Sequence, residues 1–506
     1  MTLTSELTWL IALPAIASPL IYLIGRLAVR LSGKGKVSNP ARWLAVIALL
    51  ADLVVLFLAW QKLQQVPALP WQIGAIYLSL DGIGFLMAAA VLGLGLMVTL
   101  FSTHYMKGET GEEKFYALLT VMIATMIGLC CTTDLFNLWV WFEGMAVTSY
   151  MLVAFYREQP ASLEAGFKYL VQSAAGSILV VLGISLVFAA TGTLDLAVMR
   201  IGDTMNPMIL AASALFVIGF GVKIALVPVH TWLPDAHSQA PSGISAMLSG
   251  AVIEVGLIAL LRVLHPFTQG PGQMEKWGVL LLGFAAVNML VGNLMALRQT
   301  QVKRLLAYSS VSHMGYMLLG VGIAMTFGSL DGASGAFFHL INHAAMKGLA
   351  FLSAGALLYA IHLSRGNHLP LVLDDLNGAA RRYPLAAFAF SIAVLGLGGL
   401  PPLSGFMSKW QIFVSGFETG NPWVIGLVIF AALNSVLSLA YYAPLVNRLY
   451  RFEMAVPVRR GGTISLWMAV PLVILALLVI ILGVYPSLVN NVVLPAAQNL
   501  VPALIK

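Results

Sequence analysis

Apolar runs of about 20 residues, each closed by a short polar or glycine- and proline-bearing connector, recur along the whole chain. As a helix, such a run crosses roughly 30 Å of hydrocarbon, so the pattern predicts an all-α polytopic membrane protein. Fourteen transmembrane spans can be drawn: 7–25, 43–60, 80–103, 115–132, 135–156, 167–190, 207–229, 243–264, 277–297, 303–326, 334–361, 384–417, 422–447 and 466–487. Two of them are broken. The seventh carries Lys223 five residues before Pro228 and then runs into the polar stretch His230–His237; the twelfth has a glycine- and proline-rich break at Gly398–Gly405 with Lys409 just beyond it. Proline removes a backbone donor and frees carbonyls that protein or water must satisfy, so each break predicts a polar cavity beside a lysine. Two such segments with four spans between them are the trace that an internal repeat of about five helices leaves.

Ionisable residues inside these runs are the chemistry of the chain. A charge near mid-bilayer costs on the order of 3 kcal/mol on insertion scales, and such residues usually lie on an ion path with a partner. The fifth span places Glu143 in the middle of the aromatic helix DLFNLWVWFEGMAV, and Lys223 is its expected cation partner; a purely structural buried pair is the alternative. Glu254 falls near the middle of the eighth span with nothing local to neutralise it. In the tenth, Ser309, His313 and Tyr316 share helical spacing, and in the eleventh His339, His343 and Lys347 stand at i, i+4 and i+8 on one stripe. Two histidines at i and i+4 also suit a metal, but no acidic residue or cysteine accompanies them as in the H-E-x-x-H motif, so no metal is expected. Glu164, Lys168 and Gln172 line one face at the start of the sixth span, either as a solvated helix start or as an ion entrance. Asp52 and Asp81 read as polar groups near a span centre or an interface.

Composition narrows the class. With 60% hydrophobic and 9% charged residues and a mean hydropathy of +0.92, the 506 residues read as a single membrane domain with no room for a soluble enzyme unit. The net charge of +7 is a topology signal rather than a sign of nucleic-acid binding. Alternating the loops puts 19 basic residues on one face and 5 on the other (Lys62, Arg200, Arg262, Lys276 and Lys506), leaving Lys223, Lys347 and Lys409 within the membrane. By the positive-inside rule both termini then lie outside, in a cell inner (plasma) membrane. Cys130 and Cys131 sit in an apolar run and form no disulfide framework or metal site. The N-terminus lacks the basic start and cleavage site of a signal peptide, so its first apolar run is expected to be retained. No nucleotide, flavin or iron–sulfur motif is found, and no cofactor is expected in this chain.

The stretches VPVHTWLPDAHSQAP (227–241), VKRLLAYSSVSHMGY (302–316), HLINHAAMKGLAFL (339–352) and GLPPLSGFMSKW (399–410) resemble the antiporter-like membrane subunits of the complex I superfamily. That group comprises subunits of NADH:quinone oxidoreductase, the large subunits of Mrp-type cation/proton antiporters and their counterparts in membrane-bound hydrogenases. The resemblance covers roughly 100–450 and implies fourteen helices with two inverted five-helix repeats, 115–264 and 277–447. It matches Glu143 to the fifth-helix glutamate, Lys223 to the lysine of the broken seventh helix and Lys409 to the twelfth-helix lysine; His313, His339, His343 and Lys347 fall on the family's central polar axis. The sequence departs at the eighth helix, where Glu254 stands in place of the usual lysine or histidine. The function implied is proton translocation along Glu143, Lys223, Glu254, His313, His339, His343, Lys347 and Lys409. It would be coupled to redox chemistry in partner membrane subunits of a larger complex, with no redox centre in this chain. Two alternatives remain open: a Mrp-type subunit exchanging Na⁺ for H⁺, and a scaffold that has lost transport.

Overall fold

The computed structural model describes residues 6–31, 39–74, 76–201, 206–269, 272–366 and 368–501. Lys34, Lys36 and Lys506, counted above in the charge asymmetry, and both chain termini lie outside the described residues. The helices run in order as α1 (Glu6–Leu31), α2 (Asn39–Leu63), α3 (Gly82–Tyr105), α4 (Glu112–Cys131), α5 (Leu135–Val153), α6 (Pro160–Thr191), α7 (Pro207–Lys223) and α8 (Trp232–Gln239). Next come α9 (Ser242–Met247) and α10 (Ile253–Leu264), joined into one rod by a π-helical turn over Leu248–Val252, then α11 (Gln273–Ala296), α12 (Val302–Phe327) and α13 (Leu330–Ile361). The chain closes with α14 (Pro384–Gly398), α15 (Ser404–Glu418), α16 (Pro422–Leu449), α17 (Val456–Arg460), α18 (Leu466–Val484) and α19 (Asn490–Leu500).

Among the described residues, 11 helices are long and apolar enough to cross a membrane, with Pro207–Lys223 and Pro384–Gly398 as shorter apolar helices. The fold is mostly helical, as the apolar runs predict, with one short hairpin among the described residues. Strands β1 (Leu69–Ile73) and β2 (Ile76–Leu80) pair antiparallel from Leu69 opposite Leu80 to Ile73 opposite Ile76. The alternating segment around a Gly74 at φ +57° favours a tight hairpin over helix.

Local chemistry sets the helix boundaries. Asp81, Asp134, Asn206, Ser329 and Asn421 each accept a backbone N–H as N-caps, and Pro160, Pro207, Pro384 and Pro422 occupy the first turn, where no N–H is needed. Asp81, expected as a polar group near a span centre or an interface, thus caps α3, and its carboxylate also takes Arg262 in a two-pronged ion pair at 2.8 and 3.1 Å.

Burial is arranged as in a membrane protein. Perimeter helices turn large apolar side chains outward, such as Phe57 on α2, Ile178 on α6, Leu433 on α16 and Leu477 on α18. The rod α9–α10, α12 and α13 are the most enclosed elements; most buried ionisable residues lie on them and on the two broken segments, and a second set, Arg42 and Asp52 of α2 with Glu112 and Glu113 of α4, is buried apart from them. On the basic face, Asp235 of α8 joins Lys168 of α6 (3.2 Å) to Arg304 of α12, and Gln172 donates to Thr231 at 2.7 Å. The stripe Glu164, Lys168 and Gln172 therefore ties the broken segment after α7 to its neighbours.

Candidate functional site

Helix α7 stops at Lys223 and the chain takes an irregular path to α8, with Ala225 in the left-handed region at φ 56°. The backbone groups freed by that stop have partners. Trp232 Nε1 donates to the Val222 carbonyl at 2.7 Å. Asn288 of α11 accepts the Val227 N–H at 3.0 Å and donates to the carbonyls of Ala225 and Val311. Lys223 is 1% exposed. Its Nζ donates to the Tyr169 hydroxyl at 2.7 Å and lies 4.7 Å from that ring's centre, and the same ring stacks on Trp232 at 4.0 Å. Gly256 of α10 permits this approach, because a Cβ there would press on the Lys223 stem and on Ile224.

The expected ion pair between Glu143 and Lys223 is not formed. No carboxylate lies within 4.0 Å of Lys223 among the described residues, and Glu143 Oε1 is buried without a hydrogen-bond partner. The reason is steric. Phe142, packed edge-on against Phe220, and Tyr169 surround the ammonium, while Glu143 sits one position round α5 on its half-buried side.

The eighth span holds the centre of the site. Its π turn, Leu248–Val252, presses Gly250 against the backbone of Ala344 on α13, and π turns inside α-helices frequently mark functional positions. Just beyond the turn, Glu254 accepts from or donates to His343 Nδ1 at 2.7 Å, both side chains fully buried. So Glu254 does have a partner, which no local sequence signal revealed, because it comes from a helix 89 residues away. The His343 ring lies 5.2 Å from His313, whose Nδ1 is 3.0 Å from His339 Nε2; His339 Nδ1 in turn is 2.8 Å from Ser408 Oγ. Ser408 neighbours Lys409 in the chain. Lys409 Nζ donates to the Leu397 carbonyl and to Ser435 Oγ, both at 2.9 Å, and lies 4.5 Å over the Tyr316 ring. The Leu397 carbonyl is one of those released where α14 ends, so the lysine occupies the negative end of a half-helix. Lys347, one turn along α13 from His343, donates to the Leu306 carbonyl at 2.7 Å and to Ser309 Oγ.

The eight residues singled out from the sequence thus divide. Glu254, His313, His339, His343, Lys347 and Lys409 form one buried cluster on the rod α9–α10 and helices α12, α13 and α15. Lys223 adjoins it through Gly256, and Glu143 stands at the rim. Sequence reasoning missed two further groups. Lys303, counted with the loops of the basic face, is buried and donates to the Ala240 carbonyl, and His237 is fully buried against Phe351 with neither ring nitrogen partnered. The available signal was position: Lys303 lies one residue inside α12. No group of three or more His, Cys, Asp or Glu suited to a metal occurs among the described residues.

The sequence and the fold of this chain are shared with known proteins. The transmembrane family described as "NADH:quinone oxidoreductase/Mrp antiporter, TM" matches residues 132–435. The chain belongs to that family. The N-terminal family of complex I chain 5 also matches residues 75–116. Similar relatives include NADH-quinone oxidoreductase subunit N of Desulforudis audaxviator, 33% identical over 94% of this chain and 95% of the relative. Another is F(420)H(2) dehydrogenase subunit N of Methanosarcina mazei, 31% identical over 96% and 99%. Among solved structures, a chain of the archaeal membrane-bound sulfane sulfur reductase superposes with a TM-score of 0.84 at 28% identity, covering 98% of each chain. These proteins are parts of multisubunit membrane complexes, and this family member is an antiporter-like membrane subunit of the complex I superfamily.

Proposed function

We propose that this chain is a proton-translocating subunit of a respiratory or hydrogenase-type membrane complex, driven by redox chemistry in its partner subunits. The observation that carries the reading is the buried file Glu254–His343–His313–His339–Ser408, which ends at Lys409 and crosses four helical elements. Each neighbour in it offers a nitrogen or oxygen able to take or give a proton, in surroundings where unpaired charge is costly. The proton is held first on Lys223, whose charge Glu143 supports from the rim. As the carboxylate moves away, desolvation favours the neutral amine and the proton passes inward along the file. Lys409 then releases it to the far side, and the carbonyls freed at the end of α14 steady the ammonium between transfers.

In this reading the chain crosses the membrane fourteen times, the 11 long apolar helices being joined by α5, by α7 with its irregular extension, and by α14 with α15. The two breaks belong to inverted five-helix units, 115–264 and 277–447, and the 19:5 charge asymmetry places both termini outside an inner membrane. Other membrane subunits cover part of the apolar perimeter and lipid covers the rest. The similarity to subunits named for NADH-quinone and F(420)H(2) dehydrogenases favours redox coupling over Na⁺/H⁺ exchange. So does the file itself, which offers mainly nitrogen groups where a hard cation would want several oxygens.

The test is proton pumping by the intact complex in vesicles. Lys223→Ala and Lys409→Ala are each expected to abolish most of it while the complex still assembles. Undiminished pumping in both would end the proposal, and a pH change that requires Na⁺ would transfer the chain to the exchanger class.

A further inference from the structure

A cavity of about 230 Å³ lies at the charge-poor face, where Arg262 lies, lined by Asp81, Thr132, Ile258, Arg262, His265 and Asn499 among others. It is roomy enough for several waters at about 30 Å³ each, and its hydroxyl, amide and charged groups give such waters the partners they need. Its position relative to the buried file gives it meaning. Glu254, Ile258, Leu261, Arg262 and His265 stand at i, i+4, i+7, i+8 and i+11, so one stripe of the eighth span carries both the buried carboxylate and the cavity wall. The apolar floor formed by Ile258 and Leu261 begins a single turn, about 6 Å of helix rise, beyond Glu254. The Glu254 oxygen not used by His343, Oε2, is fully buried without a hydrogen-bond partner. At the mouth, Asp81 neutralises Arg262 through two hydrogen bonds, so the wall does not repel a proton carried on water.

We propose that this cavity is a water vestibule through which the Glu254–His343 pair exchanges protons with the charge-poor face, independently of the gate at Lys409. The idea rests on the proton-file reading above and adds to it a second opening, placed at the helix where a carboxylate stands in the file. Ile258 and Leu261 act as a one-turn hydrophobic plug that water crosses only transiently.

The experiment uses the intact complex in vesicles of either orientation, with Cys130→Ala and Cys131→Ala to remove the two native thiols, which are buried. Ile258→Cys is probed with a membrane-impermeant cationic methanethiosulfonate. Labelling is expected from the charge-poor face only and is expected to cause near-complete loss of pumping. Gln269→Cys, an exposed position on the same face, should label without loss. Protection of position 258 from both faces, or labelling that leaves pumping unchanged, overturns the vestibule. If Ile258→Cys does not assemble, Leu261→Cys serves in its place with the same two criteria. Failure here is distinct from failure of the file: Glu254→Gln that slows pumping beside an unreactive position 258 keeps the file and removes the vestibule.

Discussion

Replacing Glu254 by glutamine isolates the one step at which this chain departs from the lysine or histidine expected on its eighth helix. The amide matches the carboxyl in size and still offers an oxygen or N–H to His343, now at 2.7 Å, so the packing of two fully buried side chains is retained. Assembly and thermal stability should therefore change by no more than about 1 kcal/mol, the net worth of a neutral hydrogen bond. What is lost is the group's ability to carry a proton and to strengthen its bond to an imidazolium. Hydrogen bonds to charged groups contribute about 1.5–3 kcal/mol. If the excess over a neutral bond, about 0.5–2 kcal/mol, enters the barrier for transfer, pumping slows roughly twofold to thirtyfold, at about 1.4 kcal/mol per factor of ten. The assay is the initial rate of proton uptake by the complex in vesicles at a fixed rate of electron donation. His343→Gln and the double variant complete a cycle: because the two groups act as one relay unit, the double variant should be no slower than the slower single one. A wild-type rate in Glu254→Gln, or strictly additive losses in the double variant, would refute the relay.

Tyr169→Phe removes the hydroxyl that accepts from Lys223 Nζ while keeping the aromatic face; we expect slower pumping and a stability loss of about 1–3 kcal/mol, read by thermal unfolding in nanodiscs. An unchanged rate would return Tyr169 to a packing role. Asn288→Ala strands the Val227 N–H and the Ala225 carbonyl at the break after α7 and removes a bond to Val311 of α12, so a loss of about 2–4 kcal/mol is expected in the same measurement, with Asn288→Asp recovering only the accepted bond. Gly405→Ala should block assembly, because a methyl there would overlap the Gly396 carbonyl across the second break. Gly283→Ala, with open space around its position on α11, should be neutral or stabilising by up to about 1 kcal/mol. Equal assembly of the two glycine variants would show that the close approach at the second break is not required.

Particular residues show where local reading stopped. Lys223 and Lys409 were legible because a charge beside a proline break in an apolar run has few explanations in a membrane. The stripe His339, His343 and Lys347 was legible because helical spacing alone places the three on one face. Lys303 and His237 were not, since a basic residue at the edge of a span looks the same whether it turns to solvent or folds back under a neighbouring helix. The β1–β2 hairpin escaped as well, because residues 61–79, between two strongly apolar spans, read as a connector.

Chain order by itself determined the membrane class, the approximate spans, the two breaks and the residues that carry ionisable chemistry, because hydrocarbon admits few charges and each one present is conspicuous. Which of those residues touch was decided only in three dimensions. Glu254 meets His343 and His313 meets His339 through helix packing that no periodicity encodes, and Glu143 stands apart from Lys223 because Phe142 and Tyr169 occupy the space around the ammonium. Helical spacing is a property of a few consecutive residues, whereas a hydrogen bond between helices depends on the rotation and depth of both, and those are fixed only when the whole bundle closes.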